Sequence, residues 1–237
     1  MKVGELDFYR LNLCPDHLKG LSNQWVQGRI YCSYISKLLI VDRFPALKDY
    51  VIDLELDEEH WIYIDAEKKE GVSVVLMDAN HCPGAVMFLF KGKMGTVLHT
   101  GDFRFHEKML ENPWLCPPER KNSVNRAITV DVDFLHLDNT FANPLYDFPA
   151  KSDAYKGLVS IVRSHDRHRF FIFMYNLGKE EAFLGLANDF KTKVLVDEDR
   201  YRKIKLLDLT PELFTVDQND PNARIHVKHI RDLKKYE

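Results

Sequence analysis

Two kinds of hydrophobic pattern follow one another along the chain. In the first half the apolar positions fall in short dense runs. Val72-Ser73-Val74-Val75-Leu76-Met77 is one, of the type a buried strand carries. Val86-Met87-Phe88-Leu89-Phe90 and Thr96-Val97-Leu98 flank Lys91-Gly92-Lys93-Met94-Gly95 and predict a hairpin with a glycine-bearing turn. Phe134-Leu135-His136-Leu137 reads as another strand, and Tyr34 to Phe44 spaces its apolar residues as a helix does. From about residue 150 the pattern alternates, with helices over 152–165, 179–190 and 199–207 and strands over 169–175 and 193–196. Such alternation predicts an α/β layer with parallel strands.

Two breaks punctuate this pattern. Asn112-Pro113 through Pro117-Pro118 to Ser123 reads as a surface loop. Asn143-Pro144 to Pro149 is the second, and the change of pattern after it places a domain boundary between 1–149 and 150–237. A length of 237 residues is room for one large domain or two modest ones.

Composition narrows the class. With 45% hydrophobic and 29% charged residues, a disordered, collagenous or coiled-coil chain is excluded. No apolar run approaches the ~20 residues of a membrane helix. No apolar segment follows Met1-Lys2-Val3-Gly4-Glu5, so no secretory leader is expected. The four cysteines, at 14, 32, 82 and 116, form no C-x-x-C pair and predict free thiols in a reducing compartment. Charge is uneven, with 16 Lys/Arg against 22 Asp/Glu in residues 1–150 and 17 against 14 in 151–237. An acidic half beside a mildly basic one suits a carboxylate-bearing metal site next to an anion-binding surface, although chance produces the same split.

Four polar clusters sit where strands end. They are Asn12-Leu13-Cys14-Pro15-Asp16-His17, Asp78-Ala79-Asn80-His81-Cys82-Pro83-Gly84, Thr100-Gly101-Asp102-Phe103-Arg104 and Leu137-Asp138-Asn139-Thr140. Imidazole and carboxylate groups at strand ends can converge on one metal ion or a pair. Alone, each cluster has a blander explanation. A strand-terminal Asp is commonly a turn former, and Asp16-His17 before Leu18 would serve as a helix cap. Gly84 is suited to an unusual backbone angle, with Cys82 structural beside it. His99 and His106 flank the Asp102 loop as surface or packed histidines. Lys179-Glu180-Glu181 opens a helix after Gly178, a natural phosphate seat or simply an ordinary acidic first turn. Arg200, Arg202, Lys203 and Lys205 read as the solvated face of a helix that Asp197, Glu198 and Asp199 begin.

Together the clusters carry a resemblance. Asp78-Ala79-Asn80-His81-Cys82-Pro83-Gly84-Ala85-Val86-Met87-Phe88-Leu89-Phe90, followed by Gly95-Thr96-Val97-Leu98-His99-Thr100-Gly101-Asp102-Phe103-Arg104, closely resembles the Apollo- and Artemis-type DNA cross-link repair nucleases of the metallo-β-lactamase/β-CASP class. Leu137-Asp138-Asn139-Thr140 and Leu177-Gly178-Lys179-Glu180 resemble the Apollo type more than the Artemis type. The likeness runs from about Phe8 to about Val227. It implies an α/β fold, an incomplete metallo-β-lactamase αββα sandwich with the start of a β-CASP domain. It also implies a metal-dependent 5′-to-3′ exonuclease acting on 5′-phosphorylated DNA ends, in interstrand cross-link repair and telomere maintenance in the nucleus. The implied catalytic residues are Asp16 and Asp102. The implied metal set is Asp16, His17, His81, Asp102 and Asp138, with Cys14 a further candidate. Tyr175, Gly178 and Lys179 match the segment that binds the 5′-phosphate. The implied cofactor is a divalent metal, zinc in the first instance with magnesium or manganese as alternatives, in one or two ions. The implied partners are DNA with 5′-phosphate ends and a telomere or repair protein, with no membrane.

The departures from the family pattern matter as much. The family opens its metal site with His-x-His-x-Asp-His, and here Asn12 and Cys14 replace the two leading histidines. Asn176 stands where Apollo-like chains have Ser, and the family's early Asp and late His are expected to be missing from a chain shortened at both ends. Whether this chain cleaves DNA is therefore open. The alternative is a catalytically impaired paralogue or fragment acting as a DNA-binding or scaffold module, and a third is an RNA hydrolase on the same fold.

Overall fold

The structure, a computed structural model, describes residues 18, 20–26, 28–65, 67, 69–118, 128–175 and 177–235. The chain divides into two compact units, Met1–Thr140 and Phe141–Glu237. Sheets and helices mix in both, so the chain is α/β. Among the described residues no helix is long and apolar enough to cross a membrane, and Cys32, Cys82 and Cys116 are free thiols.

The first unit is built on a five-stranded sheet. Its strands are β3 (Glu59–Asp65), β4 (Glu70–Asp78), β5 (Val86–Gly92), β6 (Gly95–His99) and β7 (Phe134–His136), in that spatial order. The first four pair antiparallel, and β7 joins β6 in parallel. The dense run in β4 follows from burial on both faces. Val72, Val74 and Leu76 pack with Val86, Phe88 and Phe90 on one side. Val75 and Met77 pack with Met87, Leu89 and Leu98 on the other. The hairpin between β5 and β6 is tighter than the sequence suggests, because Lys91 and Gly92 still pair with Thr96 and Gly95.

Residues 112–118 of the segment expected to be a surface loop cover one of these faces, and its residues 119–123 lie outside the described residues. Residues Glu107–Glu111 form a 3-10 helix. Leu115 and Cys116 after it are buried in the core, and Met109 joins them. Trp114 anchors the turn by donating from Nε1 to the Asp57 carbonyl at 2.9 Å. The prolines there terminate regular structure, but the apolar residues between them still need cover.

A smaller layer precedes the sheet. Strand β1 (Ile30–Cys32) runs parallel to β2 (Val51–Asp53), with α1 (Tyr34–Arg43) as the crossover. Helix α1 begins at Ser33, whose hydroxyl accepts from the Ser36 amide. Burial pushes the Cys32 thiol up to about 12, with Asp53 adding to the effect, so it stays protonated. The hydroxyls of Ser33 and Ser36 both donate to the Gly84 carbonyl at 2.8 Å. Gly84 adopts φ +85°, and a Cβ there would lie 2.9 Å from the Ser36 amide nitrogen. The first turn of α1 thus pins the 79–85 loop.

The second unit is a four-stranded parallel sheet in the order β10-β9-β11-β8. Its strands are β8 (Phe170–Met174), β9 (Lys193–Leu195), β10 (Phe214–Thr215) and β11 (Ala223–His229). Helices α2 (Lys151–Ser164), α3 (Glu180–Phe190) and α4 (Glu198–Leu206) accompany it. The helices, β8 and β9 agree with the sequence reading to within about two residues, but the sequence pattern predicts neither β10 nor β11, the strand between β8 and β9. Val162 of α2 and Phe183, Leu186 and Ala187 of α3 pack against Met174, Val194, Ile225 and Val227. Arg224 closes the C-terminal end of α2. Its guanidinium donates to the carbonyls of Val162, His165 and His168 at 3.0–3.1 Å and lies over the Phe170 and Phe190 rings.

Two stability outcomes are expected. Gly84→Ala lowers the unfolding free energy by about 1–3 kcal/mol in urea titration, through the left-handed backbone and the clash with α1. Arg224→Ala costs about 1.5–3 kcal/mol, since it strips three carbonyls of a charged donor. In the same assay Lys156→Ala, which breaks only the exposed pair with Asp153, changes stability by less than about 0.5 kcal/mol.

Candidate active site

The strand directions of the first unit place its polar loops together. β4 runs antiparallel to β5, β5 antiparallel to β6, and β6 parallel to β7. The chain therefore leaves β4, β6 and β7 at the same end of the sheet. His81, Asp102 and Asp138 lie within five residues of those three exits. The loops are stitched by hydrogen bonds. The Thr100 amide donates to the His136 carbonyl at 2.9 Å, and the Thr100 hydroxyl accepts from the Asp138 amide at 3.0 Å. The Arg104 amide donates to the Ala79 carbonyl at 2.9 Å, and the Asn80 side-chain amide donates to the Arg104 carbonyl at 3.0 Å.

Within this end lies an open cleft of about 550 Å³, lined by His99, Gly101, Asp102, His136, Asp138 and Asn139 among others. Asp138 is turned into an ionised acceptor. Partial burial alone would raise its pKa. Against that, the Thr140 hydroxyl and amide donate to Oδ1 at 2.6 and 3.0 Å, the Phe103 amide donates as well, and His81 lies close enough to attract the charge. The net result holds the carboxyl below the usual carboxylate range.

His99 is more than a surface histidine. Its ring stacks on that of His136, with centroids 5.2 Å apart and planes at 13°. The β6–β7 register places the two opposite each other. Burial, and then the neighbouring His136, lower its pKa, so the ring is neutral at pH 7. The Gly101 amide donates to Nδ1 at 3.1 Å, which fixes the neutral tautomer with its proton on Nε2. No local pattern marks this pair, because His136 reaches His99 only through the parallel pairing of two strands far apart in sequence. His106, by contrast, is exposed and caps the 107–111 turn with its Nδ1.

Of the remaining sequence-derived metal candidates, Cys14, Asp16 and His17 lie outside the described residues, as does Asn12. Among the described residues no three His, Cys, Asp or Glu side chains are close enough to hold a metal ion. The donor types at the sheet end, imidazole and carboxylate, suit a zinc-type ion. The described ligands alone do not close a site.

In the second unit Tyr175, Gly178 and Lys179 form the turn between β8 and α3, and Asn176 falls outside the described residues. Tyr175 and Lys179 are exposed, and Gly178 is buried. Gly178 has φ +100° and Lys179 has φ +65°, the left-handed region. Arg200, expected on a solvated helix face, is buried instead. It pairs with buried Glu180 at 2.9 Å. Burial pushes Glu180 above its ordinary range, while Arg200 and the Gly178 amide pull it back. Sequence spacing could not reveal this contact, because it joins α3 and α4 across an intervening strand.

No family model matches the chain. Curated relatives do. The 5′ exonuclease Apollo of Danio rerio is 38% identical over 218 residues, covering 92% of this chain and 36% of that protein. The 5′ exonuclease Apollo of Gallus gallus is 37% identical over 227 residues, covering 96% and 45%. The DNA cross-link repair protein SNM1 of Arabidopsis thaliana is 34% identical over 200 residues, covering 82% and 37%. The chain thus spans less than half the length of these relatives. Among solved structures, a protein of unknown function from Enterococcus faecalis V583 matches with a TM-score of 0.53 at 14% identity, over 84% of this chain and 53% of that one, a likeness of fold alone. Identity of 34–38% over 82–96% of the chain places it in the Apollo/SNM1 family of DNA cross-link repair proteins, of the metallo-β-lactamase/β-CASP class.

Proposed function

We propose that this chain is a metal-dependent 5′-to-3′ DNA exonuclease acting on 5′-phosphorylated ends. Its setting would be interstrand cross-link repair in the nucleus, with a role at telomeres and a telomere or repair protein as partner. One observation carries the reading: three strands of one sheet deliver His81, Asp102 and Asp138 to the same end. The names of the relatives point the same way. In this reading residues 1–149 are an incomplete metallo-β-lactamase αββα sandwich and residues 150–237 the start of a β-CASP domain. Asp16 and His17 complete a zinc-type site with His81, Asp102 and Asp138, and Cys14 is a further thiolate donor.

When bound, such an ion supplies Lewis acidity and a water activated at neutral pH. The chain's own groups do the rest. Asp102 and Asp138 supply negative charge to the site, and the donors around Asp138 keep it ionised. His99, neutral with its proton on Nε2, offers a hydrogen-bond donor rather than a charge beside the cleft. Lys179 at the start of α3 sits where a helix N-terminus favours a terminal phosphate.

A second reading is a non-catalytic DNA-binding module on the same fold. One observation favours it: Asn12 and Cys14 stand in place of histidines.

Digestion of a 5′-phosphorylated single-stranded oligonucleotide separates the two readings. Cleavage should proceed from the 5′ end with zinc, magnesium or manganese, and Asp102→Ala should slow it by at least about 100-fold while the protein stays folded. Binding without cleavage by folded wild-type protein, under all three metals, supports the module reading instead. Lys179→Ala should lower the preference for a 5′-phosphate over a 5′-hydroxyl end by about 10-fold, measured as the ratio of dissociation constants.

A further inference from the structure

Five residues separate β8 from α3, and the backbone of the last two, Gly178 and Lys179, is unusual. Lys179 holds a left-handed conformation that lysine seldom adopts. Such a conformation persists where the surroundings over-determine it. Here one side chain bonds on either side of it. Arg200, in the first turn of α4, donates from Nη1 to Glu180 Oε1 at 2.9 Å and from Nη2 to the Tyr175 carbonyl. Glu180 Oε1 in turn accepts from the Gly178 amide at 3.0 Å. A single guanidinium therefore grips both ends of the 175–180 turn, and Glu180 grips its middle.

Both members of this pair are about 5% exposed. Burying two charges is costly, and an apolar pair of similar shape commonly holds two helices together at least as well. Cohesion alone does not account for it. Two further observations point to the turn as its purpose. Glu180 Oε2 is buried with no hydrogen-bond partner among the described residues, so the carboxylate is not placed for its own satisfaction. It also stands at the first residue of α3, directly after Lys179, where an uncompensated negative charge would repel a phosphate. Arg200 cancels that charge while fixing the turn. Its planar two-pronged donor reaches a carboxylate and a carbonyl at once, which a lysine ammonium matches poorly.

We infer that Arg200 and Glu180 are positioning residues for the terminal-phosphate seat. They set the left-handed Lys179 and neutralise the helix start, so that the seat's charge is the lysine's own. The inference rests on the seat proposed above for Tyr175, Gly178 and Lys179.

The test compares the full 237-residue chain with Arg200→Lys and with the double variant Arg200→Met/Glu180→Gln, which leaves no buried charge unpaired. Fluorescence anisotropy gives dissociation constants for one single-stranded oligonucleotide bearing either a 5′-phosphate or a 5′-hydroxyl. Thermal unfolding checks that each variant is folded. The double variant should bind the 5′-hydroxyl strand as wild type does, yet lose about 10-fold of the preference for the 5′-phosphate, with Arg200→Lys intermediate. A folded double variant that keeps the wild-type ratio overturns the positioning role and leaves the seat standing. A wild-type ratio near one overturns the seat itself, and this assignment with it.

Discussion

The parallel pairing of β6 with β7 is the constraint on which the candidate site depends. Every other strand pairing in the five-stranded sheet is antiparallel and joins strands close in sequence. β6 and β7 are separated by more than thirty residues, and their register sets His99 opposite His136. That register fixes how far each following loop projects. Thr100, buried between the two loops, bonds to His136 on one side and to Asp138 on the other. Asp102 and Asp138 then face one cleft because the strands before them are in step.

The loop that carries His81 depends on a different support. β4 and β5 bring its ends together through Ala79 and Ala85, and the Arg104 amide ties it to the Asp102 loop. From outside the sheet, the first turn of α1 holds Gly84 through two serine hydroxyls. The site end of the first unit is thus held by short polar contacts over a core that is apolar on both faces of β4. The apolar layers supply the stability, and the hydroxyl and amide bonds supply the geometry.

The second unit divides the same labour between its own parts. Helices α2 and α3 pack apolar faces on the sheet, and Arg224 secures an end of α2 with three bonds to carbonyl oxygens. The exposed pairs on α4, Asp199 with Arg202 and Lys203, lie in water, where such contacts contribute little. Arg200 stands one residue from Asp199 but is in a different situation. Its charge is buried, its partner is on another helix, and its bonds end on a strained turn. The contrast between neighbouring residues shows why a run of charge along a helix is a poor guide to which charge matters.

Much of this was legible in the sequence, for a physical reason. Strands and helices announce themselves when local pattern and burial agree, as in β4, β5, α2 and α3, because their periodicity is a property of the residues themselves. The polar clusters at strand ends were visible for the same reason, and the motifs around His81, Asp102, Asp138 and Lys179 were specific enough to identify the family. What the sequence could not decide is which distant residues meet. β11 inserts between β8 and β9, Leu115 and Cys116 turn inward from a proline-rich segment, His136 stacks on His99, and Arg200 leaves the solvated face of α4 to reach Glu180 and Tyr175. Each of these outcomes is set by strand register or helix packing between segments far apart in the chain. Composition and periodicity determined the elements and the chemistry carried at their ends. Only the tertiary structure decided which ends face each other, since that depends on pairings whose energy no single segment contains.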